Sequence, residues 1–187
     1  MSASAAASLA LLLGALAGCA PAGNPAADSA LFVVATGEVR ADRVKWTVSP
    51  RGVGAVYIGM PLDSLSAVLG HSARSAGGGR ACAYLRPEGL PRGVALLVVR
   101  DTVVRVDVAT PEVLTEEGVG VGDSEVGLLV LHAGSVRVEA HGASAHTLLV
   151  SHPADSPYVL VFETDGSMVL RYRAGKRAVT LAEDYCA

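Results

Sequence analysis

The sequence predicts an α+β fold in which two tandem helix-plus-β-meander units share an antiparallel sheet with the helices on one face. Three observations predict it. The hydrophobic period switches from that of a strand to that of a helix and back, hairpin signals follow the helical stretches, and the order helix, loop, strand, hairpin occurs twice along the 187 residues.

In chain order, Leu31 to Val48 is apolar and β-branched with interspersed charge, which reads as one or two strands. From Met60 to Leu69 the apolar residues Leu62, Leu65, Val68 and Leu69 fall at helical spacing. Pro61 is acceptable in the first turn, where an N–H has no helical partner to lose, and Gly70 stops the helix. Ser75-Ala76-Gly77-Gly78-Gly79-Arg80 is a loop. Strand-like runs follow at Ala81 to Leu85, Val94 to Val99 and Thr102 to Val108, the last two joined by a tight turn at Arg100-Asp101.

A second copy starts near Val119 when the chain is slid against itself by about 61 residues. Ile58-Gly59-Met60 then pairs with Val119-Gly120-Val121, and Leu65, Val68 and Leu69 pair with Val126, Leu129 and Val130. Val98-Val99 before Arg100-Asp101 matches Val161-Phe162 before Thr164-Asp165-Gly166, and Val103-Val104 matches Met168-Val169. Asp165-Gly166 between alternating apolar runs is a hairpin signal. Each unit has one amphipathic helix and about three short strands, too little apolar surface to stand alone. Repeats over 52–110 and 113–187 are therefore expected to fold together as a single α+β domain over 31–187.

Composition bounds the function. With 15 basic and 18 acidic side chains the formal net charge is −3, so the basic excess that tracks nucleic-acid phosphates is missing and no nucleic-acid partner is expected. Charge is also uneven along the chain, the first charged residue being Asp28. Leu9 to Gly18 is an apolar run ending in small residues, which fits a secretory signal peptide and falls short of the about 20 residues of a bilayer span. Leu16-Ala17-Gly18-Cys19 resembles the lipobox of bacterial lipoproteins. That resemblance implies a leader over 1–18, cleavage before Cys19, and a diacylglycerol anchor on its thiol. Met1 to Ala10 lack the Lys or Arg of a usual n-region, so either the true start lies upstream or the leader is atypical. The alternative for Leu9 to Ala20, a buried helix with a core cysteine, fits poorly with the Ala- and Pro-rich tract that follows. That tract reads as a flexible tether over 19–30. By the same resemblance, Ala20 lacks the aspartate that retains lipoproteins in the inner membrane. The expected location is the bacterial cell envelope: the outer membrane facing the periplasm in a Gram-negative cell, otherwise the cell surface.

With Cys19 taken by lipid, Cys82 and Cys186 remain, and export places them where a pair is expected to oxidise. The bridge would close a loop of about 100 residues, for which the chain-entropy model gives about 4.7 kcal/mol. The alternative, a reactive thiol or metal ligand, lacks a CxxC partner or a nearby His at zinc spacing.

The string Gly52-Val53-Gly54-Ala55-Val56-Tyr57-Ile58-Gly59-Met60-Pro61-Leu62-Asp63 resembles the opening of uncharacterised bacterial envelope lipoproteins. Those proteins resemble in turn the group built on the β-lactamase-inhibitor-protein-like unit, shared with the small outer-membrane assembly lipoproteins. The similarity runs on through Cys82, Val103 to Val108 with Asp107, Gly118 to Ser124, and Phe162 to Gly166, and ends at Cys186. Pro61 departs from the usual Thr or Ser. The resemblance implies a concave sheet that binds other proteins and no catalysis. One Trp and two Phe are few for an inhibitor's interface, where aromatic anchors dominate.

Chemical motifs are sparse. Gly70-His71-Ser72-Ala73-Arg74 has Arg74 where a nucleophile elbow needs Gly, and a helix where it needs a strand. Gly77 to Gly79 lack the Lys-Ser/Thr of a phosphate loop. His132, His141, His146 and His152 lie close in sequence but without the tight spacing of zinc ligands. Of the acids Glu116, Glu117, Asp123 and Glu125, Asp123 or Ser124 is expected to cap the second helix, with Glu125 favourable at its positive end. No catalytic residue, metal ligand or cofactor is therefore assigned. The expected function is a lipid-anchored, non-catalytic binding or structural module for an envelope protein. The alternative is an exported hydrolase or metal-binding protein with a site near His132 to His152.

Overall fold

The computed structural model describes residues 46–73, 81–141, 144–182 and 185–186, with the His141 side chain excepted. These belong to one compact unit, Gly37–Ala187. The leader, Cys19, the tether, most of Leu31 to Val48, and the Gly77–Gly79 turn lie outside the described residues.

Strands β1 (Val48–Ser49), β2 (Gly52–Val53) and β3 (Val56–Tyr57) form a small antiparallel sheet. Helix α1 (Leu62–Leu69) begins at Pro61 and ends on Gly70, whose φ of 71° is open to a residue without a Cβ. Strands β4 (Cys82–Leu85), β5 (Val94–Val99) and β6 (Thr102–Val108) follow as a meander. Arg100 and Asp101 both adopt positive φ, as a two-residue hairpin between right-twisted strands requires. Helix α2 (Glu125–Leu131) is capped by Ser124, which accepts from the Gly127 N–H at 3.1 Å. Strands β7 (Val136–His141), β8 (Ala145–Val150), β9 (Tyr158–Thr164) and β10 (Val169–Lys176), and a single helical turn, α3 (Arg177–Thr180), complete the chain.

Strands β4 to β10 make one seven-stranded antiparallel sheet in the order β4-β5-β6-β10-β9-β8-β7. The chain is thus mixed helix and sheet but mostly sheet, with helices of 8, 7 and 4 residues, rather than the two helix-plus-meander units expected. The physical reason lies after Leu131: Ala133-Gly134 break the helical period, and Val136 and Val138 resume alternation, so this part forms the additional hairpin β7–β8. The two helices expected from sequence pack on one core, and a third, α3, lies elsewhere. Leu65 of α1 and Leu128 of α2 join the main core, whereas α3 lies across Arg105, whose side chain points away from the core residue Val106.

The main core packs Leu96, Val106, Leu148, Leu160, Phe162, Tyr172 and Ala174 from the sheet beneath α1 and α2. Phe162 and Tyr172 stack at 5.3 Å between centroids, and the Tyr172 hydroxyl donates to the Val113 carbonyl at 3.0 Å. Burial raises the pKa of that hydroxyl. The register of α2 differs from expectation. Val126 is 70% exposed and Val130 73%, while Leu128 is 1% exposed, so Leu128, not Val126, is the buried counterpart of Leu65.

Backbone contacts keep the same correspondence. The Gly59 N–H donates to Val103 O, and the Gly122 N–H to Val169 O; the Leu62 N–H donates to Asp101 O, and the Glu125 N–H to Ser167 O. The Val103 N–H returns to Met60 O, and the Val169 N–H to Asp123 O. Each helix start is thereby tied to the start of the strand that ends its half of the sheet.

Candidate functional site

The outer face of the central strands is buried too, through Ala95, Leu97, Leu149, Val159 and Val161. On this second face a row of charge crosses the sheet. Ala95, Asp107, Arg173 and Val161 are direct register partners on β5, β6, β10 and β9, and Arg171 lies opposite Glu163. Cross-strand neighbours stand only about 5 Å apart at Cβ, so opposite charges here pair directly.

Arg105 is the anchor. It is 1% exposed, and its guanidinium donates from Nε to Asp107 Oδ2 at 3.0 Å, from Nη1 to Val179 O at 3.0 Å and Ala182 O at 2.5 Å, and from Nη2 to the Tyr84 hydroxyl at 2.6 Å. A planar fork satisfies four acceptors at fixed angles, which Lys cannot. Arg105 thereby fastens the C-terminal segment to the sheet. The disulfide between Cys82 and Cys186, with Cα atoms 5.5 Å apart, fastens the same segment to β4.

Beside this clamp, Glu163 bridges two arginines. One carboxylate oxygen accepts from Arg171 Nε and the other from Arg173 Nη2, the latter at 2.5 Å. Arg173 Nη1 donates to Ala182 O at 3.2 Å, but its Nε is buried with no partner. A recess of about 460 Å³ opens above these groups, lined also by Arg86, Gly93, Ala95 and Ala109. Arg86 is exposed and has no ion-pair partner among the described residues. Desolvation raises the Asp107 carboxyl above the usual carboxylate range, against the opposing pull of Arg105, Arg173 and Arg171. Burial likewise lowers Arg173, opposed by Glu163.

This recess escaped the sequence reading. In Val103-Val104-Arg105-Val106-Asp107-Val108 the polar residues alternate with valine and look like a solvated strand face. The available signal was the neighbouring run Val94 to Val99, apolar at every position, which implies a sheet covered on both faces.

The residues considered from sequence fall elsewhere. Ser72 follows the helix end at Gly70 rather than a strand, and its surroundings from Arg74 to Arg80 lie outside the described residues. Asp123 does not cap α2; its Oδ2 accepts from the Gly120 N–H at 2.7 Å. Glu116 and Glu117 are exposed. Glu125 is buried, accepting from Thr164 Oγ1 with one oxygen and lying 2.8 Å from His146 Nδ1 with the other. A nucleophilic triad needs the imidazole between hydroxyl and carboxylate. Here the carboxylate stands between hydroxyl and imidazole, and Thr164 is 2% exposed, so the trio pins α2 to the sheet. His132 is buried at the end of α2, 5.9 Å from the His152 ring, its Nε2 unpartnered and its pKa lowered by burial. The His141 side chain is outside the described residues. Among the described residues no group of three His, Cys, Asp or Glu is placed to hold a metal, and no helix is long and apolar enough to cross a membrane.

No protein-family model matches the chain, and no curated protein matches it. Among solved structures, the chain is similar to the crystal structure of the uncharacterized protein YfeY from Escherichia coli, at 15% identity and a TM-score of 0.44, covering 70% of this chain and 99% of that one.

Proposed function

We propose that the protein is a lipid-anchored component of the bacterial cell envelope that binds another protein, without catalysis, on the sheet face opposite the main core. The observation that carries this reading is the recess above Glu163: charged side chains held rigidly on strands, an unpartnered buried donor, and no nucleophile beside a base among the described residues. Binding surfaces of this kind need preorganised polar groups, and a β-sheet braced by Arg105 and the Cys82–Cys186 bridge supplies them. In this reading residues 1–18 are a leader, Cys19 carries the lipid, 19–30 are the tether, and 31–187 form the single domain. The tandem-unit origin of that domain is supported by the matched backbone hydrogen bonds that tie Gly59, Met60 and Leu62 in one half, and Gly122, Asp123 and Glu125 in the other, to equivalent strand starts.

The test is chemical cross-linking in intact cells followed by capture of the full chain. One reproducible envelope partner, lost when Arg86 and Arg171 are replaced by Ala, is the expected result. Capture unchanged in that variant would place the binding surface elsewhere.

A further inference from the structure

We propose that the recess binds a carboxylate of that partner, an acidic side chain or a free C-terminus, through Arg171 and Arg86, above the buried, unpartnered Nε of Arg173. The inference rests on the protein-binding reading above and names the chemistry that the face recognises.

Donor accounting singles out these groups. Arg105 spends four of its five N–H groups on Asp107, Tyr84 and two carbonyls and is 1% exposed, so it braces the recess rather than facing a ligand. Arg173 is 5% exposed, and its buried Nε has no acceptor among the described residues, a costly state whose uncompensated positive charge lies beside the recess. Arg171 is engaged only through Nε, its side chain is 58% exposed, and its terminal nitrogens are open. Arg86 lines the same recess with no ion-pair partner among the described residues. Four arginines against Asp107 and Glu163 leave an excess of 4 − 2 = 2 positive charges around one cavity.

The geometry points to a carboxylate rather than a phosphate. Glu163 already takes Arg171 Nε and Arg173 Nη2, one oxygen to each, so the arginine donors of this face pair with a carboxylate and the terminal nitrogens of Arg171 are left for a second one. A dianionic phosphate would instead be placed beside the Glu163 and Asp107 carboxylates, where like charge opposes it. Ala95, Ala109 and Gly93 give the recess an apolar wall suited to the aliphatic stem of Glu or Asp, and its volume of about 460 Å³ admits a residue or two of peptide.

The test is titration calorimetry on the full chain with its disulfide intact. The probes are a blocked glutamyl peptide, an alanyl peptide with a free C-terminus, its C-terminal amide, inorganic phosphate, and vesicles containing phosphatidylglycerol. At least one carboxylate peptide is expected to bind and the amide not to; which of the two binds tells side chain from C-terminus. Arg171→Ala is expected to weaken binding roughly tenfold, and the double variant Arg86→Ala/Arg171→Ala roughly hundredfold, with salt-sensitive affinity. Both side chains are exposed, so an unchanged melting curve will show that the variants fold. No binding by either carboxylate peptide, equal binding by the amide, or wild-type affinity in the double variant overturns the inference. So does phosphate or vesicle binding that falls in the double variant while the peptides stay inert. A sheet-face cross-link that persists in cells alongside inert peptides would end this inference and leave the protein-binding reading standing.

Discussion

Replacing Arg105 by Met keeps much of the side-chain volume and removes the clamp on which the recess depends. The structure sets the magnitude. Arg105 is 1% exposed, and its loss leaves the half-buried Asp107 without its hydrogen-bonded partner, with the buried Arg105 site emptied of charge and the carbonyls of Val179 and Ala182 and the Tyr84 hydroxyl short of a donor. Breaking a buried pair from one side costs about 3–5 kcal/mol, which for a domain of this size lowers the melting temperature by roughly 6–20 °C. Asp107→Asn is milder, about 1 kcal/mol, because the amide oxygen still accepts from Nε and burial already disfavours the charged carboxyl. In the double variant the uncompensated charge is gone, so its cost falls below the sum of the singles by about 1–3 kcal/mol. Thermal and urea unfolding of the four proteins, disulfide intact, measures all three quantities. Arg105→Met within about 1 kcal/mol of wild type, or strict additivity in the double variant, would refute the reasoning.

Three further outcomes are expected. Leu128→Ala will cost about 2–5 kcal/mol in urea unfolding while Val126→Ala stays within about 0.5, because only Leu128 fills the core; the reverse ranking would restore the register read from sequence. His132 has a folded pKa below its usual 6.5, so its contribution to stability is complete above pH 6.5 and is lost as pH falls toward the folded value. Wild type should therefore lose more stability than His132→Leu between pH 7.5 and 5, and parallel pH curves would contradict this. Cys19→Ser should move the protein from the membrane to the soluble fraction with its melting temperature unchanged; continued membrane attachment of that variant would contradict the lipid anchor.

Much of the architecture was legible because it depends on local signals. Helix α1 followed from Leu62, Leu65 and Leu69 with Gly70 as its stop, and β5, β6 and the Arg100-Asp101 turn from dense valine broken by two polar residues. The hairpin at Asp165-Gly166 was legible for the same reason, a turn dipeptide between apolar runs, and Gly166 adopts the positive φ that such a turn favours. The β7–β8 hairpin was not: β7 alternates but is an edge strand whose Val138 is 45% exposed, so its pattern marks no buried face, and in β8 the polar pair His146-Thr147 interrupts the strand before its apolar run. The recess was less legible still. Arg105 and Arg173 are distant in sequence and meet only because β6 pairs with β10 in one register, which no local pattern specifies.

That the arginine-lined sheet face meets the partner, rather than the apolar face of α2, is tested most directly by position-resolved photo-cross-linking in intact cells. A photoreactive residue is placed in turn at Ala109, which lines the recess and is exposed, and at Val126 and Val130, with Arg86 and Arg171 kept. A single adduct of discrete mass from Ala109, and none from α2, is the predicted result; adducts from Val126 and Val130 alone would contradict it.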